Sequence, residues 1–370
     1  MILLDIIFYS FVVVVCIQVI YYGVIFGSFA YGKTEKKDQK NYPISVLICA
    51  KNEAKNLKKN LPSILEQNYS NFEVVLINDA SIDNTSEVME AFVKTHSNIK
   101  IVNVKNIEAF WANKKYALTL GIKAAKYNNL LFTDADCKPV SNNWISEITA
   151  HFNKEKTIVL GYGAYNKIKN SFLNKLIRYE TLLTAIQYFS LAKLGTPFMG
   201  VGRNLAYNRE EFFKTNGFIK HIDVRSGDDD LFINEAAHSK NTVICFTKES
   251  FTTSNPQTTY KKWFRQKRRH VSTANKYQFK HKAILALFYS TQVLFWALST
   301  ILLSLLFYWQ FFAILIAIRF LIQYIVVGLS AKKLSEIDVI YLLPFLELFL
   351  VGFQLTIFIS NLISKPNHWK

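Results

Sequence analysis

The chain has 370 residues, with 44 Lys and Arg against 27 Asp and Glu for a formal net charge of +17, and 51% of it is hydrophobic. That length allows one large domain plus membrane segments, or two ordinary domains. The apolar residues gather at the two ends, which excludes a wholly soluble chain. The four cysteines, Cys16, Cys49, Cys137 and Cys245, lack metal-ligand spacing and exclude a disulfide scaffold or a thiolate metal centre.

Met1 to Tyr31 carries one charged residue, Asp5, and about 20 apolar residues suffice to span a bilayer. No basic residue precedes this run and it is too long for the apolar part of a leader peptide, so it reads as a retained membrane helix. The run from Ala283 to Leu329 exceeds one span and must turn. Tyr308, Trp309 and Gln310 mark the hinge, because aromatic rings favour the interface. A last span follows the polar break at Lys332, Lys333, Ser335, Glu336 and Asp338, from about Val339 to Ile363. The expectation is therefore one N-terminal and three C-terminal transmembrane helices.

Lys33, Lys36, Lys37 and Lys40 follow the first helix, and Lys261, Lys262, Arg265, Lys267, Arg268, Arg269, Lys280 and Lys282 precede the second. By the positive-inside rule the central domain is cytosolic and both termini face outward. The protein is expected in a bacterial inner (plasma) membrane. Cations in these places suit anionic lipid headgroups, and no nucleic-acid partner is needed to explain them. The expected division is an N-terminal transmembrane helix over 1–32, a cytosolic domain over 33–255, a membrane-interface segment over 256–282 and C-terminal transmembrane helices over 283–370.

Between about Tyr42 and Phe246, strand-like and helix-like segments alternate, which predicts an α/β domain with a mostly parallel sheet. Ile44 to Ala50 is an apolar run suited to burial on both faces, and Asn52 is placed to cap the following helix. Phe72 to Ile77 is the second strand, with a turn over 78–84 and a helix from about Thr85 to Thr95. Lys100 to Val104 is the third strand. Lys114 to Ala125 has Ala117, Leu118, Ile122 and Ala125 at helical spacing. Leu130 to Thr133 re-enters the sheet and ends in Asp134-Ala135-Asp136. Ligands of open α/β sheets bind beyond the carboxyl ends of strands, where Lys51, Asn52, Asp79 and Asp136 are expected.

Asp134 and Asp136 place two carboxylates at a strand end. A hard divalent cation needs only one or two carboxylates when substrate phosphates complete its shell; a solvated turn is the plainer reading of such a pair. Lys114, at the start of the preceding helix, can meet a diphosphate. Asp79, with Ser81 and Asp83 behind it, forms a turn able to cradle a base or ribose.

The ordered series Cys49-Ala50-Lys51-Asn52-Glu53, Asn78-Asp79-Ala80-Ser81-Ile82-Asp83, Asn113-Lys114-Lys115-Tyr116-Ala117-Leu118 and Asp134-Ala135-Asp136 resembles family 2 of the inverting glycosyltransferases. The likeness is to its membrane-bound members: ceramide glucosyltransferases, poly-N-acetylglucosamine synthases, and cellulose and hyaluronan synthases. It covers roughly Tyr42 to His270. It implies a Rossmann-like GT-A fold, a nucleotide-sugar donor, and a divalent metal, Mg or Mn. By the same resemblance Lys51, Asn52, Glu53 and Asp79 bind the donor, with Asp79 on the uracil. Lys114 and Asp134 hold the nucleotide, and Asp136 with Asp134 ligates the metal.

Ser226-Gly227-Asp228-Asp229-Asp230-Leu231 sets three carboxylates before a helix beginning near Leu231. Capping and the helix dipole explain one or two of them. Crowded like charges raise at least one pKa, which suits a proton acceptor. In the resembling family the aspartate closing the corresponding motif is the catalytic base, here Asp229 with Asp228 and Asp230 as rivals. Gly200-Val201-Gly202-Arg203-Asn204 resembles the family's acceptor-side segment, or is a bulge at a strand start. Gln266 and Arg269 match a Gln-x-x-Arg-Trp signature that supports the pyrophosphate. His270 replaces the tryptophan that shapes the acceptor site.

The expected reaction is an in-line displacement at the anomeric carbon with inversion, Asp229 taking the proton of an acceptor hydroxyl while metal, Lys114 and Arg269 face the departing diphosphate. Ser171 to Leu194 reads as an interfacial amphipathic helix or as a buried core helix. The first alternative favours a lipid acceptor. A processive polysaccharide synthase acting on a glycan is the other enzyme reading, and a transporter would explain the helices but not the carboxylates.

Overall fold

The computed structural model describes residues 2–33, 41–105, 114–224 and 226–364. Lys36, Lys37, Lys40 and Asn113 lie outside them. The chain divides into two compact units: Met1–Lys33 with Asn170–Leu194 and Thr259–Pro366, and a second made chiefly of Thr34–Lys169 and Gly195–Thr258.

The second unit is a mixed α/β domain. Its strands are β1 (Ile44–Ala50), β2 (Phe72–Asp79), β3 (Ile99–Val104), β4 (Asn129–Asp134), β5 (Lys138–Pro139), β6 (Ile158–Leu160), β7 (Gly163–Tyr165), β8 (Leu205–Asn208), β9 (Thr242–Ile244) and β10 (Thr252–Ser254). Seven form one sheet in the order β3-β2-β1-β4-β8-β6-β9, and β5-β10-β7 form a smaller one. β1 to β4 pair in parallel, while β8 runs antiparallel between β4 and β6. Parallel neighbours need crossovers, and the helices Ala54–Leu65, Thr85–Thr95 and Lys114–Ala124 supply them. Val46, Ile48, Val74, Leu76 and Leu131 are buried in one core with Leu57, Leu61 and Trp144. Each such side chain contributes about 1.5–3 kcal/mol on leaving water.

The expected elements are found within one or two residues of their bounds. Asn52 departs from expectation. It does not cap the first crossover helix: it lies in the left-handed region at φ 58°, and Glu53 takes the cap position without a side-chain bond to the backbone of the helix's first turn. Asn tolerates that region better than most residues, and its side chain is used across the loop instead.

The other unit holds four helices long and apolar enough to cross a membrane: Ile2–Ala30, Phe279–Leu305, Trp309–Lys333 and Ile337–Ile363. The hinge between the second and third lies at 306–308, with Leu306 and Tyr308 at φ 48° and 47°, two residues before the expected one, because Trp309 and Gln310 already open the third helix. Phe11, Phe295, Leu302 and Phe312 are buried together. Arg319 and Glu347, both buried, form a two-pronged ion pair, with one Nη1–Oε2 distance of 2.9 Å. Gln323 bonds both partners, at 2.7 Å to each, as a charge removed from water requires.

The segment expected at the interface, Ser171 to Leu194, is a helix over Phe172–Lys193, and it is buried on all sides, from Leu176, Tyr179 and Leu183 round to Ile177, Thr181 and Phe189. An interfacial helix keeps a polar face in water; this one is a core helix. Its Arg178 is buried and donates to Glu336 at 2.7 Å and to Asp338 at 2.8 Å. Its Glu180 meets Lys267 at 2.5 Å. The expected continuous domain over 33–255 is therefore interrupted, because Asn170–Leu194 packs with the apolar helices.

Candidate active site

Because β1, β2 and β4 are parallel and in register, with Cys49 opposite both Ile77 and Asp134, their carboxyl ends reach one edge together. Lys51 follows β1, Asp79 ends β2 and Asp134 ends β4. The loops after β1 and β2 are stapled to each other. The Asn52 N–H donates to Ser81 Oγ at 3.0 Å, and the Ile82 N–H donates to Asn52 Oδ1 at 2.9 Å. The Glu53 N–H donates to Thr85 Oγ1 at 2.9 Å, and its carboxylate accepts from Asn56 at 2.6 Å. Asp83, one residue before the N-cap Asn84, accepts the Thr85 N–H at 3.0 Å. Asp79 is buried, 3.9 Å from Lys51 Nζ. Burial pushes its carboxyl up, and Lys51 and Lys114 pull it back.

Lys114 stands between two carboxylates, 3.0 Å from Asp134 Oδ1 and 2.9 Å from Asp228 Oδ2. Burial alone would favour the neutral amine, but those two charges hold its pKa well above the usual value. It is a fixed cation. The next residue, Lys115, is fully buried and donates to the carbonyls of His221 and Val224 at 2.6 and 2.9 Å. It tethers the segment that leads to Asp228.

The three adjacent aspartates do three different things. Asp228 pairs with Lys114. Asp229 caps the helix Asp230–Ala236; its Oδ2 accepts the Gly202 N–H at 2.6 Å and its Oδ1 the Asp230 N–H at 2.8 Å. Asp230 is buried and accepts from the Leu231 N–H at 2.8 Å. Lys114, Asp134, Gly202, Asp228 and Asp229 line one cleft with Cys49, and Asp230 does not. Burial, and then the charges of Asp228 and Asp230, push the Asp229 carboxyl up to about 7 against the Gly202 N–H and Lys114. A carboxylate that gives and takes a proton near neutrality faces the fixed cation.

Asp134, Asp136 and Cys137 can each offer an atom within 4.8 Å of the others. The Cys137 thiol is held protonated by burial, which leaves two hard carboxylate oxygens. Asp136 reaches solvent, yet the surrounding protein and then the Asp134 charge push its carboxyl up. Two crowded carboxylates with open coordination positions fit a hard divalent cation that shares its shell with phosphate oxygens. Arg203, stacked 4.2 Å over Tyr165 and donating to Ala164 O at 3.0 Å, favours ionised Asp136.

Gln266 and Arg269 lie on the helix Tyr260–Val271 of the other unit, outside the unit that forms this cleft. Lys115, Gly202 and Arg203 carry parts of the site that the residue pattern left unassigned. All three sit inside quoted motifs, but no spacing rule marks a lysine as a backbone tether or a glycine as a carboxylate donor.

Residues 45–214 match the family described as Glycosyl transferase family 2, and residues 130–353 match Glycosyl transferase family group 2. An uncharacterized glycosyltransferase of Haemophilus influenzae is 31% identical over 125 residues, 34% of this chain and 37% of that protein. Poly-beta-1,6-N-acetyl-D-glucosamine synthase of Staphylococcus epidermidis is 37% identical over 93 residues, 25% of this chain and 21% of that protein. The matches thus span about a fifth to two-fifths of these relatives. Mannosyltransferase PcManGT from Pyrobaculum calidifontis, solved with GDP-Man and Mn2+, has the same fold, with a TM-score of 0.56 at 18% identity over 87% of this chain and 99% of that one. GT-A is therefore the fold, as expected.

Proposed function

Because this chain belongs to glycosyl transferase family 2, we propose that it is a membrane-bound inverting glycosyltransferase that passes a sugar from a uridine diphosphate sugar to a hydroxyl of a membrane lipid. The observation that carries this reading is one cleft in which a fixed cation, Lys114, faces a carboxylate of pKa about 7, Asp229.

Asp229 is the base. Its two backbone N–H bonds orient the carboxylate, and at neutral pH it is balanced between accepting the acceptor's proton and releasing it. Asp228 and Asp230 are committed to Lys114 and to the helix start, so they position rather than react. Lys114 stays charged and meets the diphosphate, where charge grows as the bond to the sugar breaks. Asp136 with Asp134 would hold a divalent cation, Mg or Mn, which would supply positive charge to the departing diphosphate. Lys51, Asn52, Glu53 and Asp79 shape the nucleoside end, Asp79 being the acceptor for a uracil N–H. Arg269 and Gln266 support the diphosphate by family resemblance. With attack and departure on opposite faces of the sugar, one carboxylate suffices and configuration inverts.

The lipid acceptor is supported by the four apolar helices that this chain itself carries. Anchoring concentrates a lipid hydroxyl near the enzyme by confining both to one surface. The cytosolic placement of the catalytic unit rests on the positive-inside count. Similarity to a polysaccharide synthase favours a second reading, a glycan acceptor. Purified protein in nanodiscs should release UDP from a UDP-sugar only with added divalent metal, and the labelled sugar should partition into the lipid extract. A ladder of water-soluble oligosaccharides would overturn the lipid acceptor; no metal-dependent UDP release with any UDP-sugar would overturn the donor.

A further inference from the structure

We infer that the fourth apolar helix does not cross the membrane: it dips to mid-depth and returns to the face it started from, turning an apolar stripe to the acyl chains of one leaflet. Its length and composition suffice for a crossing, but its contacts place both of its ends at one face.

The first three helices define the two faces. At the near face Lys333 Nζ donates to Phe29 O at 2.8 Å and to Gly32 O at 2.5 Å, so the first helix ends where the third ends. Tyr21 Oη donates to Ile284 O at 2.7 Å, which sets the start of the second helix there too. At the far end Phe8 meets Tyr308 with ring centroids 5.1 Å apart, and Phe11 meets Phe312 at 5.2 Å. Lys33, Phe279 and Lys333 are thus near-face residues, and the hinge over 306–308 is at the far face.

The chain turns back directly after Lys333, with the Glu336 N–H bonded to Ala331 O at 2.7 Å. Ile340 packs back along the third helix, 3.7 Å from where a Cβ on Gly328 would stand. Glu347 then pairs with Arg319, which lies about 21 Å below Lys333 at roughly 1.5 Å rise per residue. A crossing helix would continue from this level toward the far face. Instead Gln292 donates to Glu347 Oε1 at 3.3 Å while Tyr289 Oη donates to Val351 O at 3.2 Å. As the fourth helix advances, its partner on the second moves back toward Phe279.

The C-terminal end confirms the direction. Arg268 donates to Asn361 Oδ1 at 2.9 Å and to Ser360 O at 3.0 Å, and Asn361 Nδ2 donates back to Arg268 O at 3.2 Å. Only the short helical turn Ser272–Lys276 separates Arg268's helix from Phe279, so Ser360 and Asn361 lie at the near face. Re-entrant backbone is tolerated where protein packs around it, as Arg319 and Gln323 do here. On the other side Phe345, Leu348, Leu355, Ile359 and Leu362 are exposed at spacings of three to seven residues. That single stripe, between mid-depth and one face, fits the tails of one leaflet.

The test is sidedness in the full chain. Epitopes are inserted after Ser364, in the far-face hinge at Phe307, and at the exposed Lys154, in the unit that follows the near-face Lys33 in the chain. Antibody is applied to intact and permeabilised spheroplasts. The Ser364 epitope should match the Lys154 epitope and differ from the Phe307 epitope in every preparation; matching the Phe307 epitope would overturn the inference. Should the insertions fail to accumulate, the paired Arg268→Cys, Asn361→Cys variant should form a disulfide under mild oxidation, and its absence in folded protein would equally overturn it.

Discussion

Asp229→Asn tests the base through two independent readouts. The folded cleft raises this acid from 3.8 to about 7, worth about 4 kcal/mol in full and about 2 kcal/mol once partial solvent access is allowed for. The sign follows from the direction. A raised carboxyl favours the folded state fully below its unfolded value, and that contribution is lost as pH rises from about 4 through about 7. Asparagine carries no such dependence. Its amide oxygen keeps one of the two N–H bonds from Gly202 and Asp230 and loses the other, at a cost of about 1–2 kcal/mol. The variant should therefore be less stable than wild type at acid pH and draw level with it near pH 8, measured by urea unfolding in detergent without donor or metal. Turnover should fall about 10²–10⁴-fold while calorimetric UDP affinity stays within about twofold, since only the proton acceptor is lost. Wild-type kcat/KM should climb with pH, reaching half of its plateau near pH 7. Parallel stability curves, or retained turnover, would refute the assignment of the shifted acid to Asp229.

Asp136→Ala should abolish metal-stimulated turnover and weaken UDP binding in the presence of metal; activity that persists with a chelator would remove the metal from this site. Gly202→Ala puts a methyl 3.3 Å from Asp229 Oδ2, so kcat should fall by about tenfold, with the melting temperature nearly unchanged because only a few tenths of an ångström must be yielded. An unchanged kcat would show that the Gly202 N–H does not position the base. Arg319→Glu or Glu347→Arg alone should cut folded yield sharply, breaking a buried pair being worth about 3–5 kcal/mol. The double reversal should recover part of it, and no recovery would mean that the two charges act separately.

The parallel strands and the crossover helices were legible because strands buried on both faces read as apolar runs and amphipathic helices repeat every three to four residues. The edge of the sheet then followed, since strands in parallel register deliver Lys51, Asp79 and Asp134 to one side whatever their loops do. Tertiary choices were not legible. Asn52 is equally at home capping a helix or in the left-handed turn, and only its bond from Ile82, thirty residues away, decides between them. Ser171 to Leu194 shows the same limit, for periodicity reports that a helix has apolar sides without saying whether protein or lipid covers them. Asp228, Asp229 and Asp230 were indistinguishable as letters. Their roles separate because a chain entering a helix turns each residue in a different direction, toward Lys114, toward Gly202, and into the core. A charge in an apolar span is the opposite case: its cost unpaired is so high that an arginine and a glutamate set in separate apolar runs call for each other, as Arg319 and Glu347 do. What the residues alone reveal is therefore set by how large the penalty for the alternative is, and the catalytic assignment among neighbouring carboxylates carries almost none.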